Sequence, residues 1–166
     1  MYPVETYRQS SNARIPKLTD MYAMIAAQLG ANVPFARHAG IEITEVANGA
    51  AKAKVAPAPE RLNHVHSIHA GVLYTLGETC SGAAMAGAIA PVLMQARPLA
   101  ATAEIKYLSI AKGDVFATAK TSKPAEDILK ALQNDGKAAF NVEVEMKDDA
   151  DTVIANMTVG WHVRMN

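Results

Sequence analysis

The chain has 166 residues, of which 50% are hydrophobic and 19% charged, which is enough apolar content to bury a core and rules out a chain disordered throughout. Lysine plus arginine and aspartate plus glutamate each total 16, so the net charge is zero and the basic footprint of a general nucleic-acid binder is missing. A single cysteine, Cys80, excludes an intrachain disulfide and a cysteine-rich zinc cluster, and suits a reducing compartment.

Residues 1–14 read as a polar arm; they carry Glu5, Arg8 and Arg14 and no apolar run of signal-peptide length, so a cytoplasmic protein is expected. Residues 16–30 predict a helix, because Leu18, Met21, Tyr22, Ile25, Ala26 and Leu29 recur at three- and four-residue intervals, with Gly30 as its stop. Arm and helix together occupy about residues 1–35 of a single domain spanning 1–166. From Ile41 the period becomes two. Ile41 and Ile43, then Ala51, Ala53 and Val55, flank Asn48-Gly49, which predicts a hairpin closed by a type I′ turn.

Pro57, Pro59 and residues 61–68 predict a loop, and residues 69–89 a helix apolar on every side that protein must wrap, ended by Pro91. The uncharged run 79–96 is not a membrane span, since Ser81, Gly82, Gly87, Pro91 and Gln95 interrupt it and alanine rather than leucine fills it. Four period-two runs follow, at 102–110, 114–121, 138–147 and 153–164. Lys112-Gly113 is read as turning the first run into the second, and residues 148–151 as turning the third into the fourth. Residues 125–133 predict a short surface helix closed by Asn134-Asp135-Gly136. The fold class is therefore α+β, an antiparallel sheet curled around one long central helix. Alanine supplies 32 residues and aromatics only 5%, so each burial removes little apolar area, and such a core gains from extension across a subunit interface.

Between Arg61 and Arg97, Glu78 is the only formally charged residue. A carboxylate in so apolar a run is costly to bury, and desolvation raises its pKa towards the range of a general base. The competing reading is a Glu78 that reaches solvent at a subunit seam or pairs with a backbone donor. Upstream, Asn63, His64, His66, Ser67 and His69 crowd the entry to the helix, whose first N–H groups carry the positive dipole end. Ala70 and Gly71 have so little side chain that a carbonyl oxygen can approach their backbone donors. Eight residues place Glu78 on nearly the same side as Ala70 but about 12 Å along the axis, a distance that a long substrate or a partner subunit has to help close. The spacing His64-x-His66-x-x-His69 lacks further ligands beside it, so no metal site is expected. Cys80, in an apolar helix two residues from a carboxylate, reads as packing rather than as a nucleophile.

The segment from Asn63 to Thr79, NHVHSIHAGVLYTLGET, resembles the hotdog-fold acyl-CoA thioesterases of the phenylacetate-pathway and human thioesterase-superfamily type, in particular a bacterial branch. These carry Asn, then His-Gly-Gly at the mouth of a long helix, then an acid nine positions after that His; here those positions are Asn63, His69, Ala70, Gly71 and Glu78. The resemblance implies a hotdog fold over residues 40–164 and hydrolysis of an acyl-CoA or acyl-carrier thioester without a cofactor. Glu78 is the implied base or nucleophile, Asn63 and the Ala70 N–H hold the carbonyl oxygen, and the site is shared within a homodimer or homotetramer. Relatives place a Ser or Thr on the strand after the helix to position water. Alignment puts Ala100 there with Thr102 two residues on, on the same face, so Thr79 and Thr102 are the expected substrate contacts. Neither nucleic acid nor membrane is an expected partner. The alternatives are a non-catalytic acyl or acyl-CoA binding protein, or a hydratase or dehydratase using His69 with the acid.

Overall fold

The computed structural model describes residues 17–166, so the polar arm lies outside the described residues. In chain order the elements are α1 (Leu18–Asn32), α2 (Pro34–His38), β1 (Glu42–Ala47), β2 (Ala50–Val55), α3 (Ala70–Ala88), β3 (Ala96–Tyr107), β4 (Val115–Thr121), α4 (Ala125–Asp135), β5 (Lys137–Asp148) and β6 (Val153–Met165). The six strands form one antiparallel sheet in the order β1-β2-β4-β5-β6-β3.

The long helix comes where uniform apolarity puts it, with His69 and Ile89 as its caps. Its inner side lies on the sheet. Leu76, Cys80, Ala83, Ala84 and Ala88 are fully buried, and at Gly77 the side chains of Met146 and Met157 fill the space a Cβ would need, which lets helix and sheet approach closely. From Ala83 onward the helix is covered all round; before that, Gly71, Tyr74, Glu78 and Gly82 leave a partly open stripe. The expectation of a helix wrapped on every side therefore holds for its C-terminal third within one chain.

β5 and β6 alternate as their sequences do: Phe140, Val142, Val144 and Met146 face the core, opposite Trp161, Val159, Met157 and Ala155. Asp148 accepts the N–H groups of Ala150 and Thr152 within the hairpin that joins these strands, and Gly136 closes α4 at a left-handed φ of 67°.

Five details depart from the sequence reading. α1 runs through Gly30 to Asn32, because Pro34 rather than the glycine turns Val33 extended. In the β1–β2 turn only Gly49, at φ 70°, has the positive φ that type I′ requires of both central residues, so the turn is of another type. A bulge between Ile43 and Glu45 carries Val46 back to the core side. β3 begins at Ala96, six residues earlier than the alternation of 102–110 suggests. Lys112-Gly113 does not join paired strands, because β3 pairs with β6 at the sheet edge while β4 lies between β2 and β5.

Candidate functional site

The loop ahead of α3 is organised by Asn63. Its Oδ1 accepts the N–H groups of Val65 (3.0 Å) and Ser67 (3.1 Å), and its own N–H donates to the Ser67 carbonyl at 2.8 Å. Both partners of Oδ1 are donors, which fixes the amide orientation and leaves the Asn63 NH2 as the donating end. Ser67 is buried and its hydroxyl donates to the Ala111 carbonyl at 3.0 Å, linking this loop to the chain just beyond β3.

The first turn of α3 sorts its own backbone donors. His69 is the N-cap, and its Nδ1 accepts the Gly71 N–H at 2.9 Å; its carbonyl takes the N–H groups of Val72 and Leu73. Gly71 is thus spoken for, and the Ala70 N–H is the donor left at the helix mouth, on an exposed residue. Accepting at Nδ1 also places the proton of neutral His69 on Nε2. His64 and His66 are exposed on the loop, and the three histidines do not gather with Glu78 into a ligand group.

Two turns further along the same stripe stands Glu78, half-buried, with no ion-pair partner among the described residues. Burial raises its carboxyl pKa above the ordinary glutamate value. The backbone beneath it is held by a relay from β6, in which the Trp161 Nε1–H donates to Ser81 Oγ (3.2 Å) and the Ser81 hydroxyl donates to the Glu78 carbonyl (2.7 Å). Cys80, next to this relay, is fully buried and its thiol is pushed up to about 12 by that burial, which keeps it in the unreactive form. Thr79 is buried too, and its hydroxyl has no partner among the described residues.

The helix-facing side of β3 runs alongside the open stripe. Ala100, Ala103, Ile105 and Tyr107 pair with Trp161, Val159, Met157 and Ala155, all core residues of β6. At one end the Tyr107 hydroxyl donates to the Ala70 carbonyl at 3.1 Å; at the other the Trp161 ring lies against Gly82. Glu78 sits between these two anchor points.

Thr102 is not with them. A bulge between Ala100 and Thr102 reverses the alternation, and Thr102 pairs with Gly160 on the outer face, beside Asn141 and Thr158. The expectation that Thr102 shares a face with Ala100 is corrected by that one extra residue. Tyr107, Tyr74, Ser81 and Trp161 were not among the expected site residues. For the three aromatics the signal was rarity, since tyrosines or tryptophans in a chain only 5% aromatic are worth placing individually; Ser81 carried none.

No curated protein matches the sequence. Among solved structures, a Pseudomonas aeruginosa protein described as a probable thioesterase is 21% identical, with 87% of this chain and 95% of that one covered at a TM-score of 0.71. A thioesterase family protein from Silicibacter pomeroyi is 18% identical over 87% and 99% of the two chains, TM-score 0.70. The Escherichia coli PaaI protein from the phenylacetic acid degradation operon is 20% identical over 90% and 97%, TM-score 0.68. No helix of the described residues is long and apolar enough to cross a membrane. These solved structures share the hotdog fold, which is the fold of this chain too, and a family described as a domain of unknown function, DUF4442, matches residues 22–163, so the chain belongs to that family.

Proposed function

We propose that the protein hydrolyses an acyl-CoA thioester at a site built by two copies of the chain. The observation that carries this reading is Glu78: a carboxylate held half-buried with no ion-pair partner among the described residues, its pKa raised by that burial, on an otherwise apolar helix. Water bound beside Glu78 gives up a proton to the carboxylate as its oxygen adds to the thioester carbonyl, and the negative charge that develops on the carbonyl oxygen is met by backbone and amide N–H. The Ala70 N–H and the Asn63 NH2 are the donors available for it. Collapse of the tetrahedral species breaks the C–S bond, and the departing thiolate takes the proton from Glu78. Direct attack by Glu78 on the carbonyl, forming an anhydride that water then opens, uses the same groups.

Within one chain Ala70 and Glu78 are about 12 Å apart along α3, so the donors of one protomer serve the Glu78 of a second. β3 is the strand at which the copies meet in this reading: it is a twelve-residue edge strand, largely exposed on both faces, and carries Leu99, Ala100, Ala101 and Ala103. A homodimer formed there, or a tetramer of two such dimers, completes the site. The reducing-compartment composition suits a cytoplasmic enzyme acting on CoA or carrier-protein thioesters.

A second reading has one observation in its favour. With Thr102 turned outward, the helix side of the strand beside Glu78 offers Ala100 and Ala103 but no serine or threonine hydroxyl to position water, which suits a protein that binds acyl thioesters without cleaving them.

Free thiol release from a panel of short-chain, long-chain and aryl acyl-CoAs tests both. Thioesterase activity that falls about 10²–10⁴-fold in Glu78→Gln, with the fold intact, supports the first reading. Tight binding of the panel without thiol release supports the second, and activity unaffected by Glu78→Gln overturns the assignment of Glu78.

A further inference from the structure

The donor cluster at the mouth of α3 is fastened to β3 at two points. One is the Ser67 hydroxyl on the Ala111 carbonyl, just past the strand. The other is Tyr107, the last residue of β3, whose hydroxyl reaches across 37 residues of sequence to the Ala70 carbonyl at 3.1 Å. The helical pattern already gives that carbonyl the Tyr74 N–H, so the phenol adds a second donor to a satisfied acceptor. The helix does not need this bond to form. What the bond does is fix where the first turn of α3 stands relative to β3.

Tyr107 is well suited to that task. It lies on the helix side of β3, paired with the fully buried Ala155; the residue itself is about half exposed, and its hydroxyl reaches the helix. Partial burial and, after it, the nearby Tyr74 keep its phenol above the ordinary tyrosine value, so it remains a protonated donor through the neutral range.

We propose that Tyr107 is a positioning residue that holds the Ala70 N–H at a set distance from β3, the strand across which the two-protomer site assembles. This rests on the thioesterase reading above. Two protomers joined through β3 inherit the spacing between Ala70 of one and Glu78 of the other from how each helix is tied to its own strand. A first turn left to shift by about 1 Å would move the donor off the developing oxyanion, a displacement that can cost up to about 10²-fold in rate.

The test is Tyr107→Phe in the full chain, which keeps the ring and removes the oxygen. The expected result is a kcat lower by about 10- to 100-fold, with KM within about twofold of the parent and an unchanged melting temperature. The Ala70 amide resonance, followed by ¹⁵N NMR, shifts. A kcat equal to the parent's, or a fall in kcat matched by loss of folded protein in Tyr107→Phe with Tyr107→Trp no better, overturns the proposal. If the parent itself releases no thiol from any acyl-CoA, the thioesterase reading fails. The Ala70 amide then decides the positioning role by itself: an unmoved resonance overturns it, and a shifted one upholds it.

Discussion

Ser81→Ala is a sharp test of the relay beneath Glu78, because the two ways of reading Ser81 predict opposite signs. Its hydroxyl donates to the Glu78 carbonyl one turn back, a local bond that serine commonly makes in helices at some cost to helix propensity. If that were its only role, alanine would stabilise the protein by about 0.5 kcal/mol. The same oxygen, however, accepts the Trp161 Nε1–H at 3.2 Å in a fully buried setting. Removing it strands a buried indole N–H, at about 1–3 kcal/mol. Net of the propensity gain, a loss near 1.5 kcal/mol is expected, or roughly 3–6 °C in melting temperature for a chain of this size. Urea unfolding at fixed protein concentration measures it, with Trp161→Phe as the second corner of a double-mutant cycle. In the Trp161→Phe background the orphaned N–H no longer exists, so Ser81→Ala there should be neutral or mildly stabilising. A stabilised single variant, or a cycle whose two changes simply add, would refute the relay.

Gly87→Ala should destabilise by about 3 kcal/mol or more in the same assay, because its Cβ would overlap the Ala47 carbonyl oxygen, a backbone atom that cannot rotate away. Glu78→Gln should be more stable than the parent at neutral pH. The raised Glu78 pKa means the folded state holds this proton more tightly than the unfolded chain does, so its favourable contribution is present in acid and is lost as pH rises through the folded value. The gap between variant and parent should therefore close on acidification in a pH series of unfolding curves. Cys80→Ala should leave turnover within about twofold, and native Cys80 should not react with a thiol reagent that labels it in urea, since burial pushes its pKa up to about 12.

What could be read from the sequence follows what is local. α3 announces itself by an uninterrupted apolar run ending near a proline, and Glu78 by being the one formal charge between residues 61 and 97. β5 and β6 alternate cleanly, since each has one face on the core. β3 concealed half of itself. Pro98, Leu99, Ala100 and Ala101 follow no period of two, because the strand is exposed on both faces and bulged at its centre, so burial never imposed the pattern. Strand order was equally hidden, as a loop between β3 and β4 reads the same whether it closes a hairpin or crosses the sheet. At the site, the residue types could be listed from sequence but not the division of labour among donors. That His69 uses up the Gly71 N–H and leaves Ala70 depends on one imidazole's rotamer, and that Thr102 points away depends on one inserted residue.

The edge position of β3 also sets a timetable. Its only neighbour in the sheet is β6, which begins at Val153 and ends at Met165, almost the last residue of the chain. When β3 leaves the ribosome, β6 has not been made; at 5–20 residues per second the 45 residues between Tyr107 and Val153 take roughly 2–9 s. During that interval β1, β2 and α3 can already associate, and β4 and β5 join them as they emerge, while a long, alanine-rich strand waits with both edges open. Nothing in the strand's first half except Arg97 and Pro98 discourages it from pairing with another nascent chain. Synthesis on crowded polysomes and removal of the C-terminal strand expose the same vulnerability, and both should yield aggregates nucleated at residues 96–107.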